Sequence, residues 1–220
     1  MTLTRAQFDA ACKAFIQKID HKALDNGSDT VLRRFPTGWS WREHNSYPGL
    51  GYLSRSVTLP AQCPVEESDD VHEIQDVAVE SMDEAALSVS VSATPVTCQQ
   101  YVVYSATFQV PAFYFSVHRS DGVGLSLEEI MSTPLFRPHV FPDTQTSHGV
   151  DVPGSAFALL SQGDHPTLDV PCWYLHPCHT AEVIDEILEE VKVNPSESSE
   201  RYLEAWFMVV GNMINWNQSA

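Results

Sequence analysis

The stretch Tyr101-Val-Val-Tyr-Ser-Ala-Thr-Phe-Gln-Val-Pro-Ala-Phe-Tyr-Phe-Ser-Val117 decides the fold. Tyr101–Val110 and Ala112–Val117 are apolar, aromatic and β-branched, which predicts two central strands broken at Pro111. Tyr104, Tyr114 and Phe115 are assigned to the core. Downstream, Ser120-Asp121-Gly122 is a turn, and Ser126 with Glu129 caps a short helix that Pro134 must end. Residues 134–154 contain Pro134, Pro138, Pro142 and Pro153 and read as irregular. Phe157–Leu160 and Cys172–Leu175 are short apolar segments on either side of the polar run Ser161-Gln162-Gly163-Asp164-His165-Pro166. After His176-Pro177-Cys178, a helix is predicted over Thr180–Lys192. Val183, Ile184, Ile187, Leu188 and Val191 lie on one face, and Asn194-Pro195 is the stop. A last helix from about Ser199 to Asn215 buries Leu203, Trp206, Phe207, Val210 and Ile214.

Upstream, Thr4 with Gln7 forms a capping box for an amphipathic helix over residues 4–24, whose apolar face is Phe8, Cys12, Phe15, Ile16 and Ile19. Trp39 and Trp41, then Tyr52, Leu53, Val57 and Leu59, predict two antiparallel strands about a turn at Pro48-Gly49. Nine carboxylates between Glu66 and Glu84, with no Lys or Arg from Arg55 to Arg119, predict a flexible acidic insertion over 61–85. The alternation of Leu87, Val89 and Val91 then reads as strand. Helix, strands, irregular segment and two helices, in that order, give an α+β class with helices packed on one antiparallel sheet. A doubly wound nucleotide-binding sheet would alternate strands and helices, and this chain does not.

The 220 residues, 43% hydrophobic and 10% aromatic, are enough for one large domain spanning 1–220. A net charge of −17 disfavours nucleic acid and stable electrostatic membrane binding, and points to protein or small-molecule partners. No stretch reaches the roughly 20 apolar residues of a membrane span, and Met1–Ala10 lacks the order of a secretory signal. A cytoplasmic location is expected, and there the five cysteines are expected to be free thiols.

No Walker loop, Gly-x-Gly-x-x-Gly, Gly-x-Ser-x-Gly or His-Glu-x-x-His pattern occurs. The dense cluster is Cys172, His176, Cys178 and His179, where an apolar strand gives way to a helix. Zinc is disfavoured because the paired Cys spacing of structural sites is missing. A phosphatase loop fails because Ile184 stands where an Arg is required. A cysteine protease would need His165 or His139 to fold beside Cys178. The features that single out Cys178 are the helix N-terminus just after it, the stiffening Pro177 and the neighbouring His176 and His179. A thiol so placed can be acylated and can pass the acyl group on.

His176-Pro177-Cys178 followed by Thr180 resembles the catalytic motif of the autophagy E2-like conjugating enzymes. The likeness extends to Gln162-Gly163-Asp164-His165-Pro166, to Ala205–Gly211, and to the strand pair Tyr101–Phe115 with Asp121-Gly122 and Leu127 after it. It spans about residues 98–216. The resemblance implies an E2-like fold and a catalytic Cys178, with no cofactor or metal. It implies that Cys178 takes the ubiquitin-like autophagy-related protein 12 from the E1-like autophagy-related protein 7 and delivers it to a lysine of autophagy-related protein 5. Ubiquitin E2 enzymes place an Asn upstream of their cysteine as an oxyanion or positioning group. Here His176 is the first nominee for that role, and His165 and Gln162 are weaker ones. Two alternatives stand beside this reading: the lipid-conjugating sibling, which begins with a membrane-seeking helix, and a catalytically inactive E2-like binding module.

Overall fold

The computed structural model describes residues 2–24, 35–44, 46–62, 93–138, 140–141, 145–146, 149–150, 158–178, 180–191 and 198–218. The acidic insertion beyond Gln62 and the strand expected at Leu87–Val91 lie outside the described residues, as do His139 and His179.

The elements run α1 (Arg5–Leu24), β1 (Ser40–His44), β2 (Tyr47–Gln62), β3 (Ala93–Ser105), β4 (Val110–His118), α2 (Leu127–Ser132), β5 (Gln145–Thr146), β6 (Gly149–Val150), β7 (Leu160–Asp164), β8 (Pro171–Leu175), α3 (Thr180–Val191) and α4 (Ser198–Val210). Among the described residues the strands form one sheet in the order β1-β2-β3-β4-β8-β7-β6-β5. Each paired neighbour is antiparallel.

Residues opposite each other across an antiparallel ladder share a face. Leu53, Val102 and Phe113 lie in one such row, and Arg55, Gln100, Phe115 and Trp173 in another. This face carries the core. Phe8, Cys12 and Phe15 of α1, Ile130 of α2, Ile184 of α3 and Tyr202, Leu203, Trp206 and Phe207 of α4 are buried against it. The helices therefore cover one face, as expected. Both capping boxes form: the Thr4 amide donates to Gln7 Oε1 at 2.8 Å, and the Ser126 amide to Glu129 Oε2 at 2.8 Å. Burying Arg55 demands compensation, because a desolvated guanidinium needs acceptors. It donates to the carbonyls of Trp216 and Gln218, which fastens the chain after α4 to the sheet.

Several local expectations are corrected. The first hairpin reverses between His44 and Tyr47, not at Pro48-Gly49. Arg42 pairs with Tyr52 and His44 with Tyr47, so two steps along β1 are matched by five along β2. Pro48 and Gly49, the latter at φ +88°, sit in the resulting bulge. Pro111 does not break the strand pair either. The reversal is the turn Ala106–Gln109, and Pro111 pairs with Tyr104 inside β4. Its missing N–H is tolerated because β8 pairs with β4 only at Tyr114 and Phe115. The polar run Ser161–Asp164 is itself strand β7, and within 134–154 the short pair β5–β6 forms. Phe115 and Tyr104 pack with the core, whereas Tyr114 is half-buried on the opposite face. On α3, Ile184 is fully buried, and Val183 and Val191 face solvent. The deeper layer is α4, so α3 lies over it and needs only a narrow apolar strip.

Candidate active site

β8 carries the chain from the middle of the sheet to the candidate nucleophile. Trp173 and Leu175 alternate into the core, so Tyr174 projects from the opposite face and stacks on Tyr114 with ring centroids 5.2 Å apart. After Leu175 the chain stays on the sheet for one residue more, because the His176 amide donates to the Leu159 carbonyl at 2.9 Å. Pro177 is buried, and its carbonyl accepts the Thr180 amide at 3.1 Å, which closes a tight turn into α3. Cys178 occupies that turn, half-exposed, two residues before the first residue of the helix.

The other described thiols are sealed. Cys12, Cys98 and Cys172 are buried. Burial pushes the Cys12 thiol well up, Cys98 up to about 12 and Cys172 up to about 11. Such sulfurs stay protonated and out of reach. Among the described cysteines Cys178 alone reaches solvent.

His176 is brought to Cys178. Its Nδ1 accepts the Cys178 amide at 3.3 Å, so in the neutral ring the proton belongs on Nε2. Its imidazole stands near-perpendicular to the Phe108 ring at 5.2 Å and 76°, and 6.3 Å from Tyr174. Phe108 was not among the expected site residues. The signal was the small polar run Ser105-Ala106-Thr107 inside an otherwise aromatic stretch, which marks the turn that delivers it.

His165 and Gln162 are not brought to Cys178. Gln162 stands opposite Trp173, exposed, and borders a cleft of about 430 Å³ with Ser116, His118, Asp164 and Cys172. His165 is fully buried on the opposite sheet face, ringed by Tyr52 at 4.9 Å, Tyr101 at 4.7 Å and Tyr114 at 5.9 Å. The rings of Tyr114 and Tyr174 stand in the row that leads from His165 to His176. The reason is the β7–β8 loop, which folds back over β2–β4 and ties Thr167 Oγ1 to the Leu50 carbonyl. His165 Nδ1 accepts the Thr167 and Leu168 amides at 3.1 and 3.2 Å, which makes it the strut of that loop.

Desolvation by this aromatic cage pulls the His165 imidazole down to about 4, against a weaker upward pull from Asp169. Its folded-state value lies below the unfolded value of roughly 6.5, so the unfolded chain takes up the proton first. The strut therefore contributes fully above pH 6.5 and weakens as the pH falls towards 4, by roughly 2–3 kcal/mol. An Asn at this position keeps an acceptor for the loop amides but does not titrate. Urea unfolding should show the stability advantage of wild type over His165→Asn shrinking by that amount between pH 7 and pH 4.5. An unchanged difference would refute the assignment.

An antiparallel sheet with helices on one face, and an accessible cysteine in the turn from its central strand β8 into a helix, defines an E2-like conjugating domain. The chain belongs to the autophagocytosis-associated protein family, whose active-site domain profile matches residues 7–220. It is 26% identical over 170 residues to the human ubiquitin-like-conjugating enzyme ATG10, covering 76% of this chain and 67% of that protein. The enzyme of the same name from Arabidopsis thaliana is 26% identical over 224 residues, with 96% and 91% covered. That of Dictyostelium discoideum is 26% identical over 120 residues, with 52% and 48% covered. The chain is thus an E2-like ubiquitin-like-protein transferase of the autophagy conjugation pathway. No described helix is long and apolar enough to cross a membrane.

Proposed function

We propose that Cys178 carries autophagy-related protein 12 as a thioester, received from the E1-like autophagy-related protein 7, and transfers it to a lysine of autophagy-related protein 5. The observation that carries this reading is the placement of one half-exposed thiol in the β8–α3 turn while the other described thiols are buried.

In the first step the Cys178 thiolate attacks the modifier's C-terminal carbonyl. A new S–C bond forms, and the bond to the E1 sulfur breaks with departure of that thiolate. In the second step a neutral lysine amine attacks the same carbonyl. The tetrahedral oxyanion collapses, the Cys178 thiolate leaves, and the proton lost by the nitrogen neutralises that thiolate, giving the isopeptide and the free thiol. The N-terminus of α3 favours the negative charge that develops at the turn. His176, with its proton on Nε2, is the donor and positioning group in place of the Asn of ubiquitin E2 enzymes. Positioning supplies most of the rest, since aminolysis of a thioester needs chiefly a lysine held in line.

A protein acceptor is also favoured by α1. A membrane-seeking helix must keep its apolar face available, and here Phe8, Ala11, Cys12 and Phe15 are buried in the core. The test combines the purified chain with its E1-like enzyme, modifier and ATP, then adds the acceptor protein. A reducible adduct that is consumed as a reduction-resistant acceptor conjugate appears is the expected result. Transfer to phosphatidylethanolamine in place of the protein, or no adduct at all, would overturn the reading.

A further inference from the structure

We propose that Phe108, in the turn between β3 and β4, is a positioning residue for the discharge step and acts through His176. The inference rests on the reading in which Cys178 holds the modifier.

The turn is built to hold this ring still. Gln109 takes the left-handed conformation at φ +55°, which side chains other than glycine rarely adopt, and this reverses the chain within four residues. Its amide donates to the Ser105 carbonyl at 2.7 Å, and the Phe108 amide to Ser105 Oγ at 3.4 Å. From the other side the buried Leu3 closes the turn. The Leu3 amide donates to the Gln109 carbonyl at 2.8 Å, and Tyr104 Oη donates to the Leu3 carbonyl at 2.8 Å. A non-glycine residue held at positive φ by bonds from two segments persists because its surroundings over-determine it.

What the turn presents is the Phe108 ring, partly buried against the core and near-perpendicular to the imidazole of His176 at 5.2 Å and 76°. Edge-to-face contact constrains ring orientation, which bulk alone does not. The Cys178 amide bond to Nδ1 is long, at 3.3 Å, and fixes one corner of the ring. With Phe108 against it, the imidazole plane is set as well, and with it the direction of Nε2. Both steps pass through a tetrahedral oxyanion, but charging uses a thiolate, a strong nucleophile, whereas in aminolysis a weaker neutral amine attacks and the barrier depends more on an aligned donor. Phe108 therefore bears on discharge more than on charging.

The experiment measures charging and single-turnover discharge separately, with acceptor titrated to saturation. Phe108→Ala should charge within about twofold of wild type and discharge roughly 10- to 100-fold more slowly at saturating acceptor, with the half-saturating concentration unchanged. Phe108→Tyr should restore the rate to within about threefold. Phe108→Leu, with similar apolar bulk and no aromatic ring, should stay slow even if the alanine variant folds poorly. In a double-mutant cycle, Phe108→Ala with His176→Ala should be no slower than His176→Ala alone, because one acts through the other. Wild-type discharge by Phe108→Ala, rescue by leucine, parallel loss of charging, or additive defects in the cycle would each overturn the proposal. Failure of the unmodified chain to charge at all would instead overturn the function on which it rests.

Discussion

Replacing Cys178 with alanine should abolish the reducible adduct, with a loss of at least roughly 10³-fold in conjugate formation, because no other described thiol can substitute. Cys12 lies on the buried face of α1, Cys98 faces the core beside Arg55 and Gln100, and Cys172 is covered on β8. Reaching Cys12 or Cys98 requires opening the sheet or its helical cover, and Cys172, on the other face beside Tyr101 and Tyr114, is itself only 4% exposed. Cys178→Ser is the sharper experiment. The hydroxyl is a poorer nucleophile, but the ester it forms leaves far less readily, so the modifier should be retained as an adduct that survives reducing agent and is not discharged by the acceptor. Paired reducing and non-reducing gels read both outcomes. A reducible adduct that persists in Cys178→Ala would move the acyl acceptor to another cysteine, with Cys63, outside the described residues, the first to test.

The largest expected loss of stability comes from Phe207→Ala, at about 3–5 kcal/mol. The Phe207 ring stacks on Phe15 of α1 at 4.4 Å and 9°, and it meets Trp39, Trp206 and Trp216 at 5.7, 5.0 and 5.7 Å. Four segments converge on one ring: the first helix, the approach to β1, α4 and the chain after α4. Few of the surrounding indoles can collapse into the void, since Trp216 is held by its own Nε1 donating to the Phe207 carbonyl at 3.2 Å. Domains of this size have roughly 5–15 kcal/mol in total, so the variant should be near the threshold of folding. Urea unfolding followed by tryptophan fluorescence measures it, and a loss below about 1.5 kcal/mol would show that the cluster contributes little.

Much of this was legible in the residues, and the reasons for the failures are specific. Capping boxes are local, so Thr4–Gln7 and Ser126–Glu129 could be read directly. The half-exposed cysteine was legible because the end of a strand, a proline and the start of an amphipathic helix follow one another between Leu175 and Thr180. Prolines misled at both hairpins. A proline disturbs a ladder only where its N–H would have been used, and the sequence does not say which edge of a strand is unpaired. Tyr114 and Phe115 were indistinguishable, since aromatics on both faces erase the alternation that separates inside from outside. His165 was drawn towards the site by its place in the motif. Its position depends on a loop folding back across three strands, which no local pattern encodes. On α3, Val183 and Val191 fit a helical stripe wider than the surface α4 offers.

The turn that holds Cys178 is tied to the sheet through His176, Leu159 and the sunken Pro177, and to the helix that follows through the Thr180 amide. That helix is seated by a single fully enclosed side chain, Ile184. Ala181, Ile187 and Leu188 add only partial burial, and the remaining surface of α3, from Glu182 and Val183 to Val191, lies open to solvent, so a large arriving protein finds room on the helical flank without displacing the chain that aims the sulfur.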